Sequence, residues 1–211
     1  MTEVCTLPLT TTEKPSWRYV TELSDLVAIF ETGVQVCIWR RKIDPAIETY
    51  LKYLNESGEA QEMEVLTSSI QPKLGCLPEK CGRASLVDDL SFLSEIMQEL
   101  LGCDEIGMRF ACLKHAMCPG WHFDRLGIRL VCTYQGPGTQ WLDDQGIDRY
   151  DLGSNQTSNS AFIQSNPGEI VLLKGSLWQG NETFGVIHRS PELEPNATLR
   201  ALATLDPLWR D

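Results

Sequence analysis

Two histidines and one aspartate are the residues of this chain whose types and spacing point most directly to chemistry. His122 and Asp124 lie two residues apart, so on a β-strand both side chains point to the same face of the sheet. His188 follows much later in the chain. Two imidazoles and one carboxylate on one side of a metal ion leave the opposite positions open, an arrangement typical of non-haem Fe(II) sites. The pattern therefore predicts a metal site at His122, Asp124 and His188 that can also accept O₂ and a second ligand.

Each of these residues also has a purely structural interpretation. A single histidine on an apolar strand is usually a core or surface residue, and Asp124 could cap the turn at Gly127. The ligand types and their order along the chain favour metal binding, because together they fit the geometry of a three-ligand site.

The cysteines and the remaining histidine form a second, weaker set of candidates. Cys112, His115 and Cys118 form a C-x₂-H-x₂-C run, but the spacing matches no common zinc module. We expect Cys112 to fill the core and His115 to lie outside the metal site. Cys118, four residues before His122, is the better candidate for a reactive thiol near the metal. Cys76 and Cys81 flank a proline loop, where a redox or metal-binding pair and two exposed thiols are both open interpretations.

The overall composition excludes several classes of protein. The chain has 211 residues, 42% hydrophobic and 22% charged, which suits a globular protein and excludes a disordered one. Asp and Glu number 29 against 18 Lys and Arg, and the resulting net charge of −11 disfavours a general nucleic-acid-binding role. No apolar run reaches the roughly 20 residues of a membrane span, and residues 1–16 lack the apolar segment of a secretory signal. We therefore expect a cytoplasmic protein with reduced cysteines and neither a nucleic-acid nor a membrane partner.

The spacing of apolar residues divides the chain into a polar tail, 1–16, and a single domain, 17–211. Residues 17–104 are predicted to form a helical support region with one short strand. Its predicted elements are helices over 20–30, from Asp44 and over 85–101, and a strand over 34–39. In the last helix we expect Ser85 to be the N-cap and Gly102 to end the helix.

After Cys103 the periodicity changes from helical to alternating, which predicts a β-barrel core over 105–211. The candidate strands are 106–114, 128–134, 139–142, 161–164, 169–173, 183–188 and 199–205. The polar stretch 143–160 is long, and we expect it to be a mobile loop that borders the mouth of the site. The predicted fold class is α+β, with the N-terminal helices packed on one face of a double-sheet barrel.

The order of motifs over residues 105–206 resembles the double-stranded β-helix, a jelly-roll or cupin-like barrel, of the Fe(II)/2-oxoglutarate-dependent oxygenases. His122-x-Asp124 is followed by a strand and the turn Gly136-Pro-Gly-Thr139, then by a Pro-Gly turn into an apolar strand, and then by His188. The resemblance implies that His122, Asp124 and His188 bind Fe(II). It also implies that Arg200, twelve residues after His188, pairs with the distal carboxylate of the cosubstrate 2-oxoglutarate, to which a guanidinium fork is well suited.

Two arginines are therefore candidate cosubstrate contacts, and each has an alternative. Arg200 could instead form a surface ion pair, which is a common arrangement. Arg129 is a candidate second anion contact if the phase of its strand turns it into the cavity, and a register shift by one residue would turn it outward.

Over its whole length the chain resembles more closely a bacterial domain-of-unknown-function family. That resemblance depends on Trp39-Arg-Arg41, the string from Cys118-Pro to His122-x-Asp124, the turn over 136–141 and His188-Arg-Ser-Pro191, and it implies a fold without an activity. We expect a non-haem Fe(II)-dependent, 2-oxoglutarate-dependent dioxygenase that hydroxylates an unidentified small molecule or protein, with another divalent metal as the alternative to iron. Two alternatives stay open: a non-catalytic zinc or iron accessory protein, and a cupin-like metalloenzyme that does not use 2-oxoglutarate.

Overall fold

The computed structural model describes residues 16–57, 63–67, 77–143, 147–153, 160–194 and 197–209. The strands are β1 (Trp17–Val20), β2 (Val36–Trp39), β3 (Met63–Thr67), β4 (Glu105–Leu113), β5 (Ile128–Gln135), β6 (Gln140–Leu142), β7 (Phe162–Gln164), β8 (Ile170–Lys174), β9 (His188–Arg189) and β10 (Arg200–Leu208). The helices are a 3₁₀ helix (Leu23–Phe30), α1 (Pro45–Ser57) and α2 (Arg83–Leu101). In the described part of the chain, no helix combines the length and apolarity that crossing a membrane requires.

The described strands form one large and one small sheet. The large sheet has seven strands in the order β1-β2-β8-β5-β10-β4-β3, and its neighbours are antiparallel except for β1 and β2. The small sheet has the antiparallel order β7-β6-β9. Neighbours in the large sheet come from distant parts of the sequence, so the sheet brings together residues from both halves of the chain.

The two faces of the large sheet have different partners. On one face α2 packs across β4 and β10 and buries a stripe of leucines that includes Leu86, Leu90 and Leu93. On the other face Val131 and Leu202 pack against Trp141 of the small sheet. Because strand residues alternate between faces, β5 and β10 supply side chains both to the helices and to the space between the sheets. The structure is thus a mixed α/β fold in which the helices cover one face of a two-sheet assembly.

The region 17–104 contains more strand than the sequence predicts. It supplies β1, β2 and β3, which lie at the two ends of the large sheet, where the prediction had one strand. β1 ends at Val20, the first residue of the predicted helix over 20–30, and the helix that follows is a 3₁₀ helix beginning at Leu23. A four-residue edge strand has almost no local signal, because its stability comes from pairing with β2. Residues 1–15 of the predicted tail lie outside the described residues.

The predicted N-cap of α2 is wrong. The helix begins at Arg83, and Gly82 is the N-cap, with φ of 90° and no side-chain capping bond. A Cβ atom at Gly82 would lie 2.1 Å from the carbonyl oxygen of Ala46 in α1. The close approach of α1 therefore decides where α2 starts, and Ser85 lies inside the helix. The predicted end at Gly102 is confirmed, with φ of 64°.

Candidate metal centre

A pair of backbone hydrogen bonds brings the two histidines of the predicted site together. The amide of His122 donates to the carbonyl oxygen of His188 at 3.1 Å, and the amide of His188 donates back at 2.8 Å. Residues paired directly across two antiparallel segments carry their side chains on the same face, and the two ring centroids are 4.5 Å apart. Asp124 lies two residues further along, just outside this paired segment, and its carboxylate reaches both imidazoles.

The three side chains converge at distances suited to one metal ion. Nε2 of His122 lies 3.8 Å from Oδ1 of Asp124, and Nε2 of His188 lies 3.6 Å from Oδ2. One ligand atom from each residue can be chosen so that all lie within 4.8 Å of one another. Two ligand atoms that are each about 2.2 Å from one ion lie at most about 4.4 Å apart, so the two measured separations of 3.8 and 3.6 Å are within reach of a single ion. The side chain of His122 is 34% exposed and that of His188 only 10%, so the group is open on one side.

Backbone carbonyl groups orient both imidazoles for metal binding. Nδ1 of His122 is 2.9 Å from the oxygen of Gly120, and Nδ1 of His188 is 2.9 Å from the oxygen of Val186. A carbonyl oxygen can only accept, so in each ring Nδ1 carries the hydrogen and Nε2 presents its lone pair. Burial also lowers the pKa of His188, which keeps this imidazole neutral and able to bind a cation.

The turn after β8 holds the backbone of Asp124 in place. The carbonyl oxygen of Asp124 accepts hydrogen bonds from the amide of Ser176 at 2.9 Å and from the Ser176 hydroxyl at 3.2 Å. A Cβ atom at Gly175 would lie 2.1 Å from the oxygen of Leu126 and 2.9 Å from that of Asp124. Sequence reasoning missed Gly175 and Ser176 as support for the site. The only available signal was a Gly-Ser pair after a strongly apolar strand.

Arg200 is buried on the face between the sheets, with only 1% of its surface exposed. Its guanidinium donates to the oxygen of Pro137 at 2.8 Å and to the hydroxyls of Thr139 at 3.1 Å, Thr133 at 3.4 Å and Ser190 at 3.4 Å. Within the described chain no carboxylate forms an ion pair with it, and burial lowers the pKa of Arg200 to about 10. The surface ion pair considered as its alternative is therefore absent from this part of the chain.

Arg200 and the metal-binding group share one surface between the sheets. Thr133, whose hydroxyl contacts Arg200, lies on β5 four residues after Arg129, which contacts Asp124. Residues two or four apart on a strand share a face, and four residues span roughly 13 Å. The guanidinium and the three candidate ligands thus lie at two ends of the same surface.

Arg129 contacts two carboxylates of the chain. Its Nη1 donates to Oδ2 of Asp124 at 2.6 Å, while Nε and Nη2 donate to the two oxygens of Asp206 at 2.7 Å each. Arg129 points towards the metal-binding group, and two carboxylates of the chain accept hydrogen bonds from its three nitrogens. These bonds use three of its five N–H groups, and its role as a second contact for a cosubstrate carboxylate stays a prediction.

The other residues singled out in the sequence lie outside the group of ligands. Cys112 is buried in the core, as predicted, and burial raises its pKa to about 12. Cys118 is exposed, and its carbonyl oxygen accepts a hydrogen bond from Ser190 at 2.9 Å. His115 does not belong to the candidate metal group found among the described residues. Cys81 is exposed, and Cys76 lies outside the described residues.

Part of the predicted loop over 143–160 packs beside the strands that carry the histidines. Ile147 and Leu152 contact the buried cluster of Trp121, Leu142 and Ile187. Trp121 and Ile187 immediately precede the two histidines, so the described residues 147–153 contact the segments that carry the histidines. Residues 144–146 and 154–159 lie outside the described residues, and the mobility of the loop stays a prediction.

Solved structures with this arrangement of sheets and helices include dioxygenases. The 2-oxoglutarate binary complex of AtDAO1, the dioxygenase for auxin oxidation 1 of Arabidopsis thaliana, is 9% identical, with a TM-score of 0.57 and coverage of 92% of each chain. JOX2 in complex with 2-oxoglutarate, iron and JA is 11% identical, with a TM-score of 0.51 over 90% of this chain and 74% of that one. A protein of Shewanella oneidensis described as an oxygenase is 13% identical, with a TM-score of 0.51 over 91% and 89%. Because the sequence identities are this low, the similarity shows only that this chain has the same fold as these oxygenases.

The chain belongs to the DUF1826 family, described as a protein of unknown function, whose sequence profile matches residues 21–206. No curated protein matches the sequence significantly. The resemblance predicted from the motifs, to a domain-of-unknown-function family and more distantly to the Fe(II)/2-oxoglutarate oxygenases, is confirmed.

Proposed function

We propose that this protein is a non-haem Fe(II)- and 2-oxoglutarate-dependent oxygenase. His122, Asp124 and His188 would hold the iron, and Arg200 would bind the distal carboxylate of 2-oxoglutarate. When bound, the iron would activate O₂ while decarboxylation of 2-oxoglutarate to succinate supplies two electrons, so that a C–H bond of the substrate is hydroxylated.

The observation that carries this proposal is a buried guanidinium without a carboxylate partner in the described chain, on the same surface as a three-ligand group. Taking an unpaired cation out of water is costly, so Arg200 in this position favours a site that is completed by an anion. A carboxylate entering between the sheets would supply that charge. Its four present contacts are to neutral oxygens, which hold the guanidinium in place without neutralising it.

In this proposal, one group of residues would bind the metal ion and another would hold Arg200 in position. The two Nε2 atoms and the Asp124 carboxylate would present one face of ligands to the ion. The hydroxyls of Thr133, Thr139 and Ser190 fix the orientation of the Arg200 fork. A dicarboxylate bound at both ends would be held in one orientation, with its keto acid at the metal.

The test is anaerobic titration of the Fe(II)-loaded protein with 2-oxoglutarate. Chelation by the keto acid produces a visible charge-transfer band, and we expect a saturable band that His122→Ala loses along with its iron. Arg200→Met should keep its iron and need much more 2-oxoglutarate. Arg18→Met, which breaks an exposed arginine pair with Glu31, is the matched control and should behave as wild type.

The three functions considered from the sequence give different results in this titration. Fe(II) binding with neither the band nor any affinity for 2-oxoglutarate would refute the proposal. Turnover of O₂ without 2-oxoglutarate would then support the cupin-like metalloenzyme, and metal binding without O₂ consumption would support the accessory protein.

A further inference from the structure

The second oxygen of the Asp124 carboxylate has a partner of its own. Arg129 donates to Oδ2 at 2.6 Å, and Asp206 holds the same guanidinium by two parallel bonds of 2.7 Å. One arginine thus links a candidate metal ligand to a second carboxylate. In this group only the Oδ1 atom of Asp124 is left without an arginine contact.

The large sheet makes this linkage rigid. The antiparallel register of β10 and β5 pairs Leu205 with Leu130. One residue further along, Asp206 and Arg129 therefore lie across from each other, with their side chains on the opposite face of the sheet. β5 and β10 are neighbours in the interior of the sheet. A guanidinium held by two bonds from a neighbouring strand has few other orientations, so its third nitrogen, Nη1, is directed at Asp124.

The charges of the group suit a cation nearby. Arg129 alone would oppose the binding of a metal ion, but the carboxylate of Asp206 compensates its charge. Asp124, Arg129 and Asp206 together keep a net charge of −1. The carboxylate of Asp124 therefore stays negative towards the ion while one of its oxygens is occupied.

We propose that Arg129, held by Asp206, restricts Asp124 to binding the metal through one oxygen, Oδ1, and so keeps an additional coordination position open. Arg129 and Asp206 are positioning residues in this proposal, which depends on the proposed metal site. An octahedral ion with three one-atom protein ligands has about three free positions, enough for a chelating cosubstrate and O₂. A carboxylate binding through both oxygens would remove one of them.

The number of water molecules on the metal tests this directly and needs neither cosubstrate nor turnover. In Mn(II)-loaded protein, the relaxation rate of water protons reports the exchangeable waters on the ion. In Arg129→Met, Oδ2 is freed, and we expect the enhancement per bound Mn(II) to fall by about one third, from three waters to two. Arg129→Lys keeps a cationic donor and should remain close to wild type. Arg18→Met removes an exposed two-bond arginine pair elsewhere and should change nothing.

Asp206→Asn provides a second, independent variant if Arg129→Met does not fold. Losing the compensating charge should lower Mn(II) affinity on the order of 10-fold, as is usual for groups that support metal ligands. The inference is overturned if Arg129→Met, at full occupancy, has the wild-type relaxation rate, or if it loses Mn(II), because removing a neighbouring cation should not weaken metal binding. Unchanged Mn(II) affinity in Asp206→Asn would also overturn it. If the wild-type protein binds no divalent metal, the proposed function itself fails.

Discussion

Replacing Arg200 by methionine should separate cosubstrate binding from metal binding. Methionine has a similar length but neither charge nor donors, so a bound dicarboxylate would leave its distal carboxylate unpaired between the sheets. Losing one partner of a buried charge pair usually costs about 2–5 kcal/mol. That range corresponds to a roughly 30- to 5,000-fold weaker affinity for 2-oxoglutarate. We expect at least about 30-fold, because Arg200 is only 1% exposed and solvent cannot replace it.

The same substitution should affect the stability of the unliganded protein much less. Burial lowers the pKa of Arg200 to about 10, which means that the folded state disfavours the cation. This corresponds to a cost on the order of 3 kcal/mol, present in full at pH 7 and lost only as the pH rises through about 10. Methionine removes that cost but also removes the hydrogen bonds to Pro137 and Thr139. The two effects oppose each other, so affinity should fall far more than stability.

Anaerobic calorimetry with Mn(II)-loaded protein measures the affinity, and thermal unfolding with and without 2-oxoglutarate measures the stability. Wild type at 100 times its dissociation constant should gain about 2.7 kcal/mol from the ligand, and Arg200→Met should gain at most about 0.9 kcal/mol at the same concentration. Arg18→Met is the control. An Arg200→Met protein that binds 2-oxoglutarate within threefold of wild type would refute the reasoning, because the buried guanidinium would then not be the anion contact.

Three further predictions concern the ligands, their support and the core. His122→Ala should abolish stoichiometric binding of Fe(II), measured by metal analysis, while the partly exposed position leaves folding intact; retained iron would exclude His122 as a ligand. Gly175→Ala should destabilise the protein by about 1–3 kcal/mol in urea unfolding and weaken metal binding, because the added Cβ would meet backbone oxygens. Gly127→Ala is the control, because a Cβ atom there would have nothing within 4 Å. Burial raises the pKa of Cys112 to about 12, so above about pH 9 the unfolded thiol ionises first and stability falls as the pH rises. The free energies of unfolding from urea titrations at pH 8 and 10 should differ by about 1–2 kcal/mol less in Cys112→Val; an unchanged difference would contradict this.

Much of the β-rich half of the fold could be predicted from the sequence alone. Alternation of apolar residues after Cys103 located most of its strands to within a few residues, and the stripe of leucines ending at Gly102 located α2. These are local signals, since each depends on the period of side chains along one element. The strands β1 and β3 were not predicted, because they are short and are stabilised by pairing with strands elsewhere in the sequence.

The candidate ligands were also visible in the sequence, because the two-residue spacing of His122 and Asp124 predicts side chains on one side of the chain and ligand chemistry restricts the residue types. Only the tertiary structure shows the register that pairs His122 with His188, and only it shows what each arginine contacts. Arg129 and Arg200 were predicted to play similar roles, yet the first pairs with two carboxylates and the second has none in the described chain. Sequence supplies the type of a side chain and its phase on a strand. Which group neutralises a charge depends on residues that the sheet brings together from distant parts of the chain, and no local sequence pattern contains that information.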